Sequence, residues 1–307
     1  MKAGRRGVRT DRWWGRGAWM LWMAVPFGVV APPLSAQMTT RDLLALPRPA
    51  ADRRIAYGDD SLQFGDLRVP DGPGPHPVLV VIHGGCWSAR FNLDHLDLFL
   101  DAFRREGVAS WSIEYRRVGD GGGGWPGTFD DVARGVDYVR TLARDHSLDL
   151  GRAVILGHSA GGHLALWTAA RTGLPAEHRW HPEQPVPWRG VVSLAGVGDL
   201  AAALEDGICG TIIERLMGGT PETTPNRYTL VSPVERIPLG VRQMLISGAL
   251  DGIVPVGGVR AYAETARAAG DTVRVVVVPG AGHFEVVTPT TGAWPAVRDA
   301  VRALIGN

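Results

Sequence analysis

Gly157-His158-Ser159-Ala160-Gly161 lies between an apolar run, Ala153-Val154-Ile155-Leu156, and a helix-forming run, His163 to Ala170. A serine between strand and helix with glycine two places to either side sits on a strained turn that presents its hydroxyl as a nucleophile. The strand and helix pass closely there, so the flanking positions must lack bulk. Gly157 and Gly161 meet that need, and Gly162 extends the clearance. The alternative is an ordinary serine in a tight turn.

A serine hydroxyl is a poor nucleophile at neutral pH and needs a base, which in turn needs an orienting acid. In a parallel sheet such groups gather at the carboxyl ends of strands. Asp251 follows the strand-like Met244 to Ser247, and His283 follows Val275 to Val278 within Pro279-Gly280-Ala281-Gly282-His283-Phe284. The expected triad is therefore Ser159 as nucleophile, His283 as base and Asp251 as acid. Asp199, at the preceding strand end, competes for the acid role. His158 is expected to point away from Ser159, His163 to fill the core side of its helix, and Glu285 to be a surface or pocket-rim charge.

An acyl-transfer transition state also needs donors for its oxyanion, each worth roughly 3 kcal/mol. The N–H of Ala160, just after the nucleophile, is one. His83-Gly84-Gly85-Cys86-Trp87, directly after Val78 to Ile82, is a loop whose paired glycines can turn amides toward a substrate. Trp87, with His83 and Gly84, is expected to wall the pocket. A glycine-rich turn serving packing alone is the alternative.

The elements that must position these groups follow from the apolar pattern. Ser61 to Val69 alternates and reads as an edge strand with one solvated face. Val78–Ile82, Ala109–Ile113, Ala153–Leu156, Gly190–Leu194, Met244–Ser247 and Val273–Val278 are continuous apolar runs, as in strands buried on both faces of a parallel sheet. Helices are expected over 94–106, 128–145, 159–172, 256–269 and 294–305. Val132, Val136, Val139 and Leu142 make one apolar stripe at helical spacing in the second. Strand and helix in alternation predict a doubly wound α/β domain. About fifty residues separate Leu194 from Met244, and 199–233 reads as a small cap or lid, with a helix near Thr211 to Met217; a surface excursion without function is the alternative. Gly121 to Gly124 lacks the Lys-Ser/Thr of a phosphate loop and reads as a flexible loop near the pocket. His178 and His181 fall in a proline-bounded loop, where no metal site is expected.

The first 36 residues carry Lys2, Arg5, Arg6, Arg9, Arg12 and Arg16 ahead of an apolar stretch from Ala18 to Val30, closing on Pro32-Pro33-Leu34-Ser35-Ala36. That pattern predicts a signal peptide cleaved after Ala36 and a secreted or periplasmic protein, with an uncleaved anchor as the alternative. Arg5-Arg6 lies too far from the apolar stretch for a twin-arginine signal. The segment carries a net +5, so its removal from a chain of net charge +1 leaves −4. A mildly acidic remainder has no electrostatic footprint for nucleic acid or anionic lipid. Residues 37–60 read as a lead-in and 61–307 as one domain. Cys86 and Cys209 are the only cysteines; two give no disulfide framework, and they are expected to be unpaired thiols.

These residues resemble the α/β-hydrolase superfamily and, within it, small esterases and arylformamidases of the kynurenine-formamidase type carrying a His-Gly-Gly-x-Trp motif. The resemblance spans nearly all of Ser61 to Leu304. It includes Glu114-Tyr115-Arg116-Arg117, Trp125-Pro126 before Phe129-Asp130-Asp131, the Ser159 elbow, Ser232-Pro233, and the Asp251 and His283 contexts. It implies oxyanion donors at Gly85 and Cys86 beside Ala160. Cys86 stands where the group usually has an aliphatic or aromatic residue, which leaves the amide in place but makes the wall smaller and oxidisable. The resemblance implies no cofactor and a small carboxylic ester as substrate, with a formyl amide as the alternative; oligomeric state stays open. A peptidase of the prolyl-oligopeptidase kind would bring propeller repeats ahead of residue 61, and a non-catalytic member of the fold would lack a triad residue.

Overall fold

Apolar runs without alternation belong inside a sheet covered on both faces, and the computed structural model, which describes residues 37–306, places five of the six there. The expected signal peptide, 1–36, lies outside the described residues. The strands are β1 (Arg53–Ala56), β2 (Phe64–Arg68), β3 (His76–Ile82), β4 (Ala109–Ile113), β5 (Leu148–His158), β6 (Gly190–Leu194), β7 (Gln243–Gly248) and β8 (Val273–Val278). They form one sheet in the order β1-β2-β4-β3-β5-β6-β7-β8. β1 and β2 pair antiparallel, as do β2 and β4, and every other pairing is parallel. The chain thus has an α/β fold with a mostly parallel sheet flanked by helices.

The helices are α1 (Thr40–Leu44), α2 (Asp97–Arg105), α3 (Gly127–Asp137), α4 (Val139–Asp145), α5 (Ala160–Ala170), α6 (Leu200–Glu205), α7 (Ile212–Met217), α8 (Pro225–Val231), α9 (Val256–Ala268) and α10 (Trp294–Ile305). Strand side chains alternate between two cores. Val78, Val80 and Ile82 pack with α3, α4, α5 and α9 on one face, while Leu79 and Val81 pack with α1, α2 and α10 on the other. The stripe Val132, Val136, Val139 and Leu142 is buried as expected, although the helix that carries it breaks at Tyr138 into α3 and α4.

Three expectations change. Residues 37–60 are not a mere lead-in, because they supply α1 and the edge strand β1, and Tyr57 is buried in the core with its hydroxyl on the Glu114 carbonyl. β2 is consequently not an edge: its apparent polar face is covered, with Asp66 held by two hydrogen bonds from Arg54 and Arg68 paired with Asp97 at 2.5 Å. β8 is the other edge, so its valines are mostly half-buried and only Val278 is buried. The region after β6 folds into α6, α7 and α8, whose Ile213, Leu216, Met217, Tyr228 and Val231 join the core.

Candidate active site

β5 runs into α5 through Ser159, whose backbone sits at φ 55°, ψ −121°. A non-glycine residue in this region costs on the order of 1–3 kcal/mol and persists only where its surroundings over-determine it. Its N–H donates to the Leu194 carbonyl of β6 (2.8 Å), and its carbonyl accepts from Gly162 N–H (2.8 Å). The flanking glycines are required by close approach: a Cβ on Gly157 would run into the Gly161 carbonyl, and one on Gly161 into the Ile82 carbonyl. Ser159 is 3% exposed and its hydroxyl makes no hydrogen bond among the described residues.

His283 Nδ1–H donates to Asp251 Oδ2 at 2.8 Å, with both side chains buried. The other Asp251 oxygen accepts the N–H groups of Ile253 and Val254, each at 2.9 Å. A carboxylate held on three donors orients the imidazole and leaves Nε2 as the basic nitrogen. Asp199, the competing acid, is spent as the N-cap of α6, accepting from Ala201 and Ala202 N–H.

The neighbouring histidines are structural and neutral. His158 Nε2–H donates to the His283 carbonyl (3.0 Å), which ties the elbow to the loop of His283. Burial, reinforced by His283 and His95, pushes the His158 pKa well below the usual histidine range. His163 accepts Trp87 Nε1–H on Nδ1 and donates from Nε2 to the Val231 carbonyl; burial lowers its pKa to about 4. Glu285 is not a rim charge. It is buried, and its two oxygens take Gly282 N–H (2.9 Å) and Met38 N–H (2.7 Å).

The His83-to-Trp87 loop turns through three successive positive φ angles, at Gly85 (106°), Cys86 (53°) and Trp87 (50°). Among the described residues, neither the Gly85 nor the Cys86 N–H has an acceptor. Ala160 opens α5, where the first N–H groups have no partner within the helix. The loop is braced beneath. His83 sits between Glu114 Oε1 (2.8 Å) and the Gly84 carbonyl (2.7 Å) and stacks on Tyr115, whose hydroxyl donates to the His83 carbonyl. Burial would raise the Glu114 pKa, but His83, Arg117 and the Tyr115 N–H outweigh it and hold it below the usual range.

Two expectations fail here. Cys86 and Cys209 are not free thiols: they form a disulfide across 123 residues, with Cα atoms 5.7 Å apart. It joins the loop after β3 to the turn between α6 and α7, and only the fold brings those segments together. Second, Trp87, His83 and Gly84 do not wall the pocket. Positive φ turns Trp87 inward onto His163, and it and His83 are fully buried. Gly84 instead abuts the elbow, where a Cβ would lie 2.7 Å from the His158 carbonyl oxygen.

Gly85, Cys86, Ser159 and His283 line one cavity of about 160 Å³. Its remaining wall is Thr40, Leu43, Phe91, His95, His158, Ile253 and Phe284, a mainly apolar lining. Burial, with His83 nearby, lowers the His95 pKa to about 3, so it adds no charge. Sequence reasoning missed most of this wall. Phe91 and Phe284 follow recognised motifs closely, whereas Leu43 carries no local signal. Gly121 to Gly124 does not line the cavity, and Gly122, Gly123 and Gly124 lie instead against Arg116, Arg117 and the backbone of α7. A wider open cleft holds Arg116, Arg171 and Arg179, but these pair with Asp131, Asp137 and Asp130, and it shares no residue with Ser159, Asp251 or His283.

Residues 66–264 match the family model described as BD-FAE. The chain is 28% identical over 243 residues to Esterase LipC of Mycobacterium tuberculosis, an alignment covering 75% of this chain and 59% of that protein. It therefore spans less than two thirds of that curated relative. Among solved structures, Esterase B from Lactobacillus rhamnosis superposes with a TM-score of 0.71 at 18% identity, covering 86% of this chain and 90% of that one. The butyrate-bound esterase Est2 of Thermogutta terrifontis superposes with a TM-score of 0.65 at 20% identity, covering 83% and 92%. These likenesses establish the α/β-hydrolase fold.

Proposed function

The chain belongs to the BD-FAE family, and from that membership together with the geometry of the site we propose that it is a serine hydrolase of small carboxylic esters. The observation that carries the reading is the Asp251–His283 pair at 2.8 Å, sharing one cavity with a strained Ser159 and with two amides that lack acceptors. Ser159 Oγ attacks the ester carbonyl while His283 Nε2 takes its proton. The oxyanion accepts from Ala160 N–H and from the Gly85–Cys86 amides. As the tetrahedral intermediate collapses, the C–O bond to the alcohol breaks and His283 returns the proton to the leaving oxygen. Water, deprotonated by His283, then cleaves the acyl-enzyme and restores Ser159.

A dry apolar cavity of about 150 Å³ holds benzene, so about 160 Å³ suits a group of similar size. Short acyl groups fit that limit, in keeping with the butyrate in the Est2 structure. The curated relatives named as esterases favour ester over formyl-amide hydrolysis. Export through a signal peptide cleaved after Ala36 is part of the proposal. It is supported by the disulfide, because such bonds persist in oxidising compartments.

The test is turnover by protein starting at Gln37, and by its Ser159→Ala variant, on esters of graded acyl length and on N-formylkynurenine. Loss of the nucleophile should lower kcat by at least ~10⁴. Equal, background-level rates for both proteins on every substrate refute the enzyme reading, and preference for the formyl amide shifts it to a formamidase.

A further inference from the structure

Two residues of the cavity wall, Thr40 and Leu43, come from α1, at the start of the described chain. α1 makes no sheet hydrogen bonds. A capping box between Thr39 and Asp42 starts it, and it is held by the bond from Met38 N–H to Glu285 and by Arg48, which donates to the Leu44 carbonyl and pairs with Asp94. The same Glu285 carboxylate receives Gly282 N–H, next to His283, so one side chain docks α1 against the loop of the base. Leu43 is 4% exposed and belongs to the apolar cluster on which Phe284 packs.

Most other lining residues are not free to set the cavity's size. Gly85, Cys86, Ser159 and His283 belong to the reaction centre, and His158 is tied to the His283 carbonyl. Leu43 and Ile253 are the aliphatic side chains of the wall, and Ile253 is tethered through its N–H to the Asp251 carboxylate. Leu43 has no tie to the machinery except through its helix. Resting on the ester-hydrolase reading, we propose that Leu43 is a specificity-determining residue, and that α1 acts as a docked strap whose side chain limits the apolar group the cavity admits.

The test compares protein starting at Gln37 with Leu43→Ala, Leu43→Phe and Leu43→Met on two series: p-nitrophenyl esters from acetyl to decanoyl, and acetates of ethyl to octyl alcohol. The readout is the kcat/KM ratio of longer to shortest ester within one preparation, which is independent of the folded fraction. Each admitted methylene raises kcat/KM about fourfold. Leu43→Ala, making room for about two, should raise the ratio at least tenfold in one series, and Leu43→Phe should lower it. Leu43→Met, close in volume, should keep the wild-type profile. Profiles within twofold of wild type for both Ala and Phe overturn the proposal, as does a Met profile as broad as that of Ala. Wild-type protein without any turnover that Ser159→Ala abolishes instead refutes the ester reading itself.

Discussion

Cutting the Cys86–Cys209 bond should damage stability and catalysis by separable amounts. Cys209→Ser is the informative change, because it leaves the Cys86 amide in the loop. Closing a loop across 123 residues removes about 16 cal/mol/K from the unfolded chain, or about 5 kcal/mol at 25 °C on the chain-entropy account. At ~2–4 °C of Tm per kcal/mol for a domain of this size, Tm should fall by about 10–20 °C. The catalytic loss has a different origin. Cys86 is held at φ 53°, a conformation costing a non-glycine residue roughly 1–2 kcal/mol. Once released, the loop can relax toward negative φ, and the fraction with its amide in place falls by about 5- to 30-fold. The remaining braces, Val118 N–H on the Trp87 carbonyl and Ser88 N–H on the Gly85 carbonyl, make that an upper range. It lies below the ~10²–10³ cost of deleting an oxyanion donor outright.

The assay is kcat and KM of Cys209→Ser and of reduced wild-type protein, with Tm and a thiol count in denaturant without reductant. The expected result is no free thiol in the wild type, a 5- to 30-fold lower kcat and little change in KM. Two free thiols in the denatured, unreduced wild type refute the bond. An unchanged kcat in a variant that lacks the bond refutes the role of the tether in holding the Cys86 amide.

Asp251→Asn should lower kcat by about 10⁴ with KM nearly unchanged, because an amide facing His283 Nδ1 favours the wrong tautomer; a loss below tenfold in steady-state kinetics would return the acid role to another residue. Acidification should destabilise the fold through its buried histidines. His95 (about 3), His163 (about 4) and His158 (well below the usual range) stay neutral in the native state, while the unfolded chain takes up protons below about pH 6.5. Their stabilising contribution is thus full above pH 6.5 and is lost as pH falls toward the folded values. The loss is about 2 kcal/mol each for His95 and His163 by pH 5, or about 4 for the two, and His158 acts in the same direction. Denaturant unfolding at pH 7 and pH 5 measures it, and equal stability at both would show that these rings do not stay neutral.

What was legible in the sequence was local. Gly157 and Gly161 mark the elbow because the clash they avoid lies within a few residues of Ser159 and at the neighbouring strand. Six strands are legible as continuous apolar runs and five of them are interior, but the run itself does not show that β8 is an edge. Motif reading identifies the Gly85–Cys86 backbone but mistakes the direction of Trp87, since a positive φ is a property of the turn and not of tryptophan. The polar look of β2 misleads in the same way, because Arg54 and Asp97, outside that strand, neutralise its charges.

Features that no local reading could supply join distant segments, and two of them converge on one cavity. The disulfide spans 123 residues, and the bond from Met38 N–H to Glu285 spans 247. Each ties an element peripheral to the sheet to a loop that lines the cavity: the α6–α7 turn to the loop of Cys86, and α1 to the loop of His283. Parallel strands alone leave such loops as open excursions at one sheet edge, where a strained amide or an imidazole is free to drift. A covalent tether on one side and a buried carboxylate on the other supply what the sheet does not. This explains why Glu285, three residues from Gly282 and buried, carries backbone donors instead of facing solvent. On this argument, substitutions at Cys209 should act mainly on kcat through the oxyanion loop, and substitutions at Leu43 mainly on which ester is accepted, although neither residue supplies a reacting atom.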